Sequence, residues 1–264
     1  MRLGRRRRAA VRALYLALAL LALAAMADIG FFDRSALTRG FSNTAEFLRD
    51  LFPPDPRVLP SLARGMVETL QIAYVGTLIG FALALPAAVL ATRTVFGPHV
   101  TAPVRFLLVV IRTIPSLLWA LVFVVAFGLG PLAGTFAVAF YTLGYLGKLL
   151  FEAFEGVDAE VLEAVRSVGC NRAQLVRFAL LPEASNHVVS QLLFIFEYNV
   201  RASTIIGFVG AGGIGFYISG YVQLLQYRNL LTALLVTLVV VLVIEQASAR
   251  ARRIFLPPAN AARP

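Results

Sequence analysis

Long apolar runs alternate with short polar or Gly/Pro-rich breaks along most of the chain. Positions 13–27 form a Leu/Ala run, and 65–91, 104–127, 132–150, 187–209 and 230–244 form five more. A helix needs about 20 apolar residues to cross the hydrocarbon of a bilayer. The pattern predicts an all-α polytopic membrane protein with about six transmembrane helices. Pro86 falls inside the second run, where neighbouring helices can satisfy the freed carbonyl. Arg112 and Pro115 interrupt the third run, and Lys148 closes the fourth. The expected organisation is a basic segment 1–12, a first helix 13–27, a loop 28–64 on the outer surface, a core 65–249 and a tail 250–264. Within the core, 151–186 forms a loop on the inner side.

That loop holds the longest polar, patterned stretch between apolar runs, 163–182. Before Gly169, Val161, Val165 and Val168 share one helix face, while Glu160, Glu163 and Ser167 point elsewhere. Gly169 supplies a turn, since a residue without Cβ adopts backbone angles closed to others. Asn171 followed by Gln174 reads as a helix N-cap with a capping box. Leu175, Val176, Ala179 and Leu180 then form an apolar stripe flanked by Arg172 and Arg177, and Pro182 is expected to end the helix. The pattern predicts a helix-turn-helix lying flat. An ordinary interfacial amphipathic helix is the plain alternative.

Composition agrees with a bilayer. Hydrophobic residues make up 59% and charged residues 14%, against about 45–50% and about 25% in soluble domains. The net charge of +10 would suggest nucleic acid in a soluble protein. Here the basic residues decorate loops, so membrane topology explains them and no nucleic-acid partner is expected. Arg2, Arg5, Arg6, Arg7, Arg8 and Arg12 precede the first run and place the N-terminus in the cytoplasm. Six spans bring the C-terminus back to the same side. Arg93, Arg105, Lys148, Arg166, Arg172, Arg177 and Arg250 then fall there too. Ala25, Met26 and Ala27 could end a signal peptide, but nothing downstream looks secreted, so an uncleaved span is preferred. One cysteine and two histidines make a disulfide within the chain impossible and a structural zinc site implausible.

Charges inside the apolar runs are the next candidates. Glu197 and Arg201 are four apart, so they can pair on one helix face. A lone charge at the bilayer centre costs on the order of 2.5–3.5 kcal/mol on insertion scales, and pairing lowers that cost. Two readings stay open: a neutralised pair that holds the fold, or Arg201, Asn199, Ser203 and Thr204 facing a water-filled route for an anion. Arg112 adds a second cation, and two arginines against Glu197 favour a phosphate-like solute. Gly207, Gly210, Gly212, Gly213 and Gly215 follow. Their G-x-G-x-x-G spacing lacks the preceding strand that a dinucleotide site needs. They read as a gate or hinge at a helix end, or as a plain flexible turn.

The 163–182 stretch resembles the coupling loop of ABC-importer permeases. Glu163, Ala164, Gly169, Leu181 and Pro182 match that family's spacing, with Val165 and Ala179 replacing an Ala and an Ile. Asn199, Val200, Arg201, Ala202 and Ser203, the glycines after them, and the 112–115 segment are similar to the phosphonate-transporter subfamily. So are Glu152, Glu155 and Asp158. The resemblance runs from about residue 60 to the C-terminus. It implies a type I ABC-importer transmembrane fold in the bacterial inner membrane, working as a homodimer. It also implies two copies of an ATPase subunit and a periplasmic phosphonate-binding protein as partners. In that family the short helix after the Gly docks on the ATPase, which casts Glu163, Ala164, Gly169, Asn171, Arg172, Leu181 and Pro182 as ATPase-coupling residues. The chain lacks G-x-x-x-x-G-K-[S/T], so ATP and Mg belong to the partner and this chain is expected to bind no cofactor or metal.

Permeases for phosphate, phosphite or another small solute such as methionine would look much the same. An ion channel would share the spans without needing the 163–182 spacing, and a membrane scaffold would tolerate loss of Arg112 and Arg201. An intramembrane enzyme fits least, because no nucleophile–base pair stands out and no catalytic residue is expected.

Overall fold

The computed structural model describes residues 2–255, so Met1 and positions 256–264 of the expected tail lie outside the described residues. The chain divides at Pro53/Pro54 into two compact units. The first holds α1 (Arg2–Asp28) and α2 (Arg34–Leu51). α1 runs through both the basic segment 1–12 and the expected first span 13–27, and its span-like part is Val11–Asp28. The expected outer loop 28–64 holds α2, and its last six residues already belong to the next long helix. Asp33 caps α2 by accepting the Ser35 and Ala36 N–H groups at 2.8 and 3.2 Å. The Ser35 hydroxyl, then those two N–H groups, hold its carboxyl below the usual range.

The second unit opens with a 3-10 turn (Pro56–Val58) that Asp55 caps, leading directly into α3 (Leu59–Ala91). α3 therefore starts six residues before the apolar run suggests, and it passes through Pro86 unbroken. α4 (Pro98–Thr113), α5 (Ser116–Phe127) and α6 (Pro131–Glu155) follow. α7 (Ala159–Ser167), α8 (Arg172–Leu175), α9 (Leu181–Ile206), α10 (Ile214–Gln223) and α11 (Tyr227–Phe255) complete the described chain. Among the described residues, five helices are long and apolar enough to span a bilayer, or six if the bent pair α4/α5 counts as one span.

Small residues let the central helices approach closely, as is common where helices pack in membranes. α3 lies along α6, where a Cβ on Gly76 would come within 2.7 Å of Val138 and one on Gly80 within 2.5 Å of Thr142.

The third run is not a straight crossing, because α4 and α5 bend by 89°. Pro115 causes the break, having no N–H to give Ile111. The Trp119 indole N–H donates to the Ile111 carbonyl at 3.1 Å instead, so the freed acceptor stays satisfied.

Pro182 also behaves differently from expectation. It does not end a helix; it lies in the first turn of α9. Val176–Leu180 forms a π turn that joins α8 to α9, so the helix continues from Arg172 to Ile206. A wider turn of this kind is one way a helix absorbs a residue lacking an N–H.

Candidate functional site

Two ends of the bundle carry the candidate residues. At one end, α7 and α8 form an elbow. Gly169 turns it with φ +75°. The capping box is present: Gln174 N–H donates to Asn171 Oδ1 and Asn171 N–H to Gln174 Oε1, both at 2.9 Å. Leu162, Leu175, Ala179 and Leu180 are buried in one core with Leu150 and Phe154 of α6 and Ala88 and Ala91 of α3. Val161, Val165, Val176 and Leu181 pack against it. Val168 departs from its expected face and is 81% exposed, while Leu162 takes the inner position. Glu163, Ala164, Asn171, Arg172 and Pro182 are exposed. Phe178, not singled out by the sequence pattern, is 62% exposed at the elbow, with the Arg177 guanidinium 5.7 Å from its ring centre. The elbow thus has a rooted inner face and a bare outer one.

Behind the elbow, Glu155 gathers three helices. Its Oε1 accepts the Arg93 N–H at 2.9 Å and pairs with the Arg105 guanidinium. Arg105 Nε donates to Ala91 O at 2.7 Å, and its guanidinium covers the Phe151 ring at 4.4 Å. The tail of α3, the middle of α4 and the tail of α6 are thereby joined. Arg166 of α7 donates to Thr94 O at 2.6 Å, tying the elbow to the same corner.

The charged residues of the spans do not arrange as expected. Glu197 does not pair with Arg201. Its buried carboxylate faces Arg252 of α11 at 2.9 Å, an ion pair without hydrogen-bond angles. Arg201 and Arg112 are both exposed, and neither has an ion-pair partner among the described residues. Asn199 and Ser203 do not face a water-filled route; both are fully buried. The Asn199 amide donates to Thr77 and Thr142 hydroxyls, each at 2.8 Å, and so clasps α9 to α3 and α6. The Thr204 hydroxyl donates to Arg201 O. The expected cluster is thus split into an exposed cationic part and a buried structural part.

At the opposite end, the glycines make a tight turn between α9 and α10. Gly210, Gly212 and Gly213 have φ between +76° and +83°, a region that penalises any Cβ. Gly207 and Gly215 cross so closely that a Cβ on Gly207 would lie 2.6 Å from Gly215 Cα. A helix and a 3-10 turn precede the turn, so the dinucleotide reading fails. Two side chains of α3 cap α10 from across the bundle. Glu68 Oε1 accepts the Gly213 N–H at 3.0 Å, and Thr69 Oγ1 accepts the Ile214 N–H at 2.8 Å. Gly130 N–H donates to Gly210 O at 2.9 Å, fastening the α5–α6 turn to the same loop. A cleft of about 260 Å³ opens there between Glu68, Leu129 and Phe216. Sequence reading missed Glu68, although a single carboxylate inside an apolar run was the available signal.

Residues 76–257 match the family described as binding-protein-dependent transport system inner membrane component. A putative phosphite transport system permease protein of Stutzerimonas stutzeri is 37% identical over 83% of this chain and 78% of that protein. A phosphate-import permease protein of Mycolicibacterium smegmatis is 39% identical over 79% of this chain and 39% of that one. Among solved structures, the inward-facing MetNI methionine ABC transporter matches with a TM-score of 0.66 and 25% identity. That match covers 76% of this chain and 98% of the other. The family domain spans most of the chain and the elbow, the bent α4/α5 pair and the glycine turn all fall within it, so this chain belongs to the binding-protein-dependent transport system inner membrane components and is a multi-pass permease subunit of an ABC importer.

Proposed function

We propose that this chain carries a small phosphorus oxyanion, a phosphonate or its inorganic relative phosphite, inward by alternating access. It works as a homodimer with two copies of an ATPase subunit and a periplasmic binding protein. The observation that carries the reading is the elbow: its inner face is rooted in the α3/α6 core, while Val168 and Phe178 stand bare on the outside. A surface of that kind suits docking on a separate subunit. Both termini lie in the cytoplasm on this reading, supported by Arg93, Arg105, Lys148, Arg166, Arg172 and Arg177 collecting at the elbow end.

ATP, bound with Mg on the partner, supplies closure of the two ATPase subunits. The elbow moves with its partner and the Glu155–Arg105 corner passes that motion to α3, α4 and α6. The bend at Pro115 gives α4 and α5 separate freedom, and the glycine turn serves as the opposite gate. Arg112 and Arg201, exposed and unpaired among the described residues, supply the positive excess that favours an anion, because Glu197 is already taken by Arg252. Support for the oxyanion comes from the names of the relatives and from the likeness of 199–203 to phosphonate permeases.

The test is uptake of labelled methylphosphonate by cells with and without the gene, with phosphite and phosphate as competitors. Uptake lost with the gene and displaced by phosphite but not by phosphate supports the reading. Uptake untouched by the deletion, with phosphate import reduced instead, moves the substrate to phosphate. Arg201→Ala is expected to cut uptake about tenfold, or about 1.4 kcal/mol, while the ATPase still co-purifies.

A further inference from the structure

The first unit lies outside the matched family domain, which begins at residue 76. α2 is two-faced. Leu37, Phe41, Leu48 and Leu51 recur at spacings of four, seven and three, which places them on one side of a 3.6-residue helix. Arg39, Asn43, Glu46, Arg49 and Asp50 occupy the other side. Phe41 is 76% exposed, and Leu37 and Leu48 are also exposed. The hydroxyl that falls among the apolar residues, on Thr44, is satisfied internally by Gly40 O at 2.7 Å. This face therefore asks for no polar partner.

Chain connectivity says what covers it. α1 carries a span, Val11–Asp28, and α3 belongs to the span Pro56–Ala91. Positions 29–33 separate α1 from α2, and 52–55 lead from α2 to the second span. At no more than about 3.6 Å per residue, these tethers reach roughly 18 and 14 Å. α2 itself is about 27 Å long at 1.5 Å per residue. A helix tied at both ends to one face of the membrane by tethers shorter than itself lies along that face. Exposed Phe31 and Phe32 sit in the first tether, and Phe is among the apolar side chains that interfacial segments bury at the headgroup boundary. Three arginines against two carboxylates on α2 suit a surface bearing phosphate headgroups.

We infer that α2 is an in-plane membrane helix whose Leu37–Phe41–Leu48 stripe is sunk in lipid. The inference rests on the two flanking spans and is independent of the transported substrate.

Cys170 is the chain's single cysteine, so a Cys170→Ser background accepts one new cysteine at a time. Phe41→Cys, Asn43→Cys, Leu48→Cys and Asp50→Cys, each carrying an environment-sensitive nitrobenzoxadiazole label, are reconstituted as full-length protein in phosphatidylethanolamine/phosphatidylglycerol vesicles. Quenching by nitroxide-bearing lipid is compared with quenching by iodide present on both sides. The expected result is lipid quenching several-fold stronger at 41 and 48 than at 43 and 50, with the order reversed for iodide. Iodide quenching all four positions alike would put α2 in water and overturn the proposal. Shielding of 41 and 48 from both quenchers would also overturn it, since a protein partner would then cover the stripe.

Discussion

Each end of the permease bundle hangs a backbone N–H on one carboxylate, and the two arrangements differ in what surrounds that carboxylate. At the elbow end, Glu155 holds the Arg93 N–H together with a guanidinium that also reaches Ala91 O and covers an aromatic ring. At the glycine end, Glu68 holds the Gly213 N–H and has no ion-pair partner among the described residues. The first is a cross-linked corner that must move as a body. The second is one hydrogen bond, backed by Thr69, on a loop whose glycines already accept unusual angles. On the mechanism proposed above, with force entering at the elbow and the gate at the glycine turn, the two arrangements offer stiffness at the first and easy release at the second.

The largest expected effect separates the two carboxylates. Glu155→Ala strips partners from both Arg93 N–H and Arg105, and its cost is about 2 kcal/mol, between that of an exposed and a fully buried pair. Thermal unfolding should fall by several degrees and co-purification of the ATPase should weaken. An unchanged melting temperature would remove the idea of a stiff corner. Glu155→Gln keeps the acceptor for Arg93 N–H and should fall between the two.

Glu68→Ala is expected to act on function more than on stability. Melting should shift by about a degree or less, while maximal uptake drops several-fold and ATP turnover no longer follows substrate. Glu68→Gln retains an acceptor oxygen and should restore most uptake. Should Glu68→Ala lower the melting temperature as much as Glu155→Ala, the two ends would be equally structural and the contrast would be lost.

The smallest effect belongs between the ends. Trp119→Phe removes the donor to the Ile111 carbonyl, about 1 kcal/mol for one hydrogen bond. Uptake should change modestly, with faster proteolysis near the α4/α5 bend as the readout.

Sequence reading reached the features that are local. Runs of apolar residues located the spans, and Asn171 with Gln174 specified a cap that forms as expected, because both depend on neighbours within a turn. What it missed depends on distant partners. Glu197 looked paired with Arg201 at four residues, yet the helix packs it on Arg252 instead. Glu68 and Gly213 are 145 positions apart, so no pattern within one segment could join them. Asn199 looked like a pore residue because it is polar, and only the packing of three helices shows two threonines waiting for it. The prolines misled for a related reason: Pro115 breaks the helix between α4 and α5, whereas a π turn at Val176–Leu180 lets the helix run on through Pro182. α2 went unread because its balanced charges hid a period that its apolar positions keep.

Trp119 has a consequence beyond mechanics. It is the chain's single tryptophan, and its indole is fastened to the carbonyl at the α4/α5 bend. Ultraviolet emission selected for tryptophan in the isolated permease therefore arises from one position, the α4/α5 bend itself. Wavelength and lifetime should report whether that indole N–H keeps its acceptor as the bundle changes state. The protein carries its own optical gauge of the bend, readable without attaching a dye.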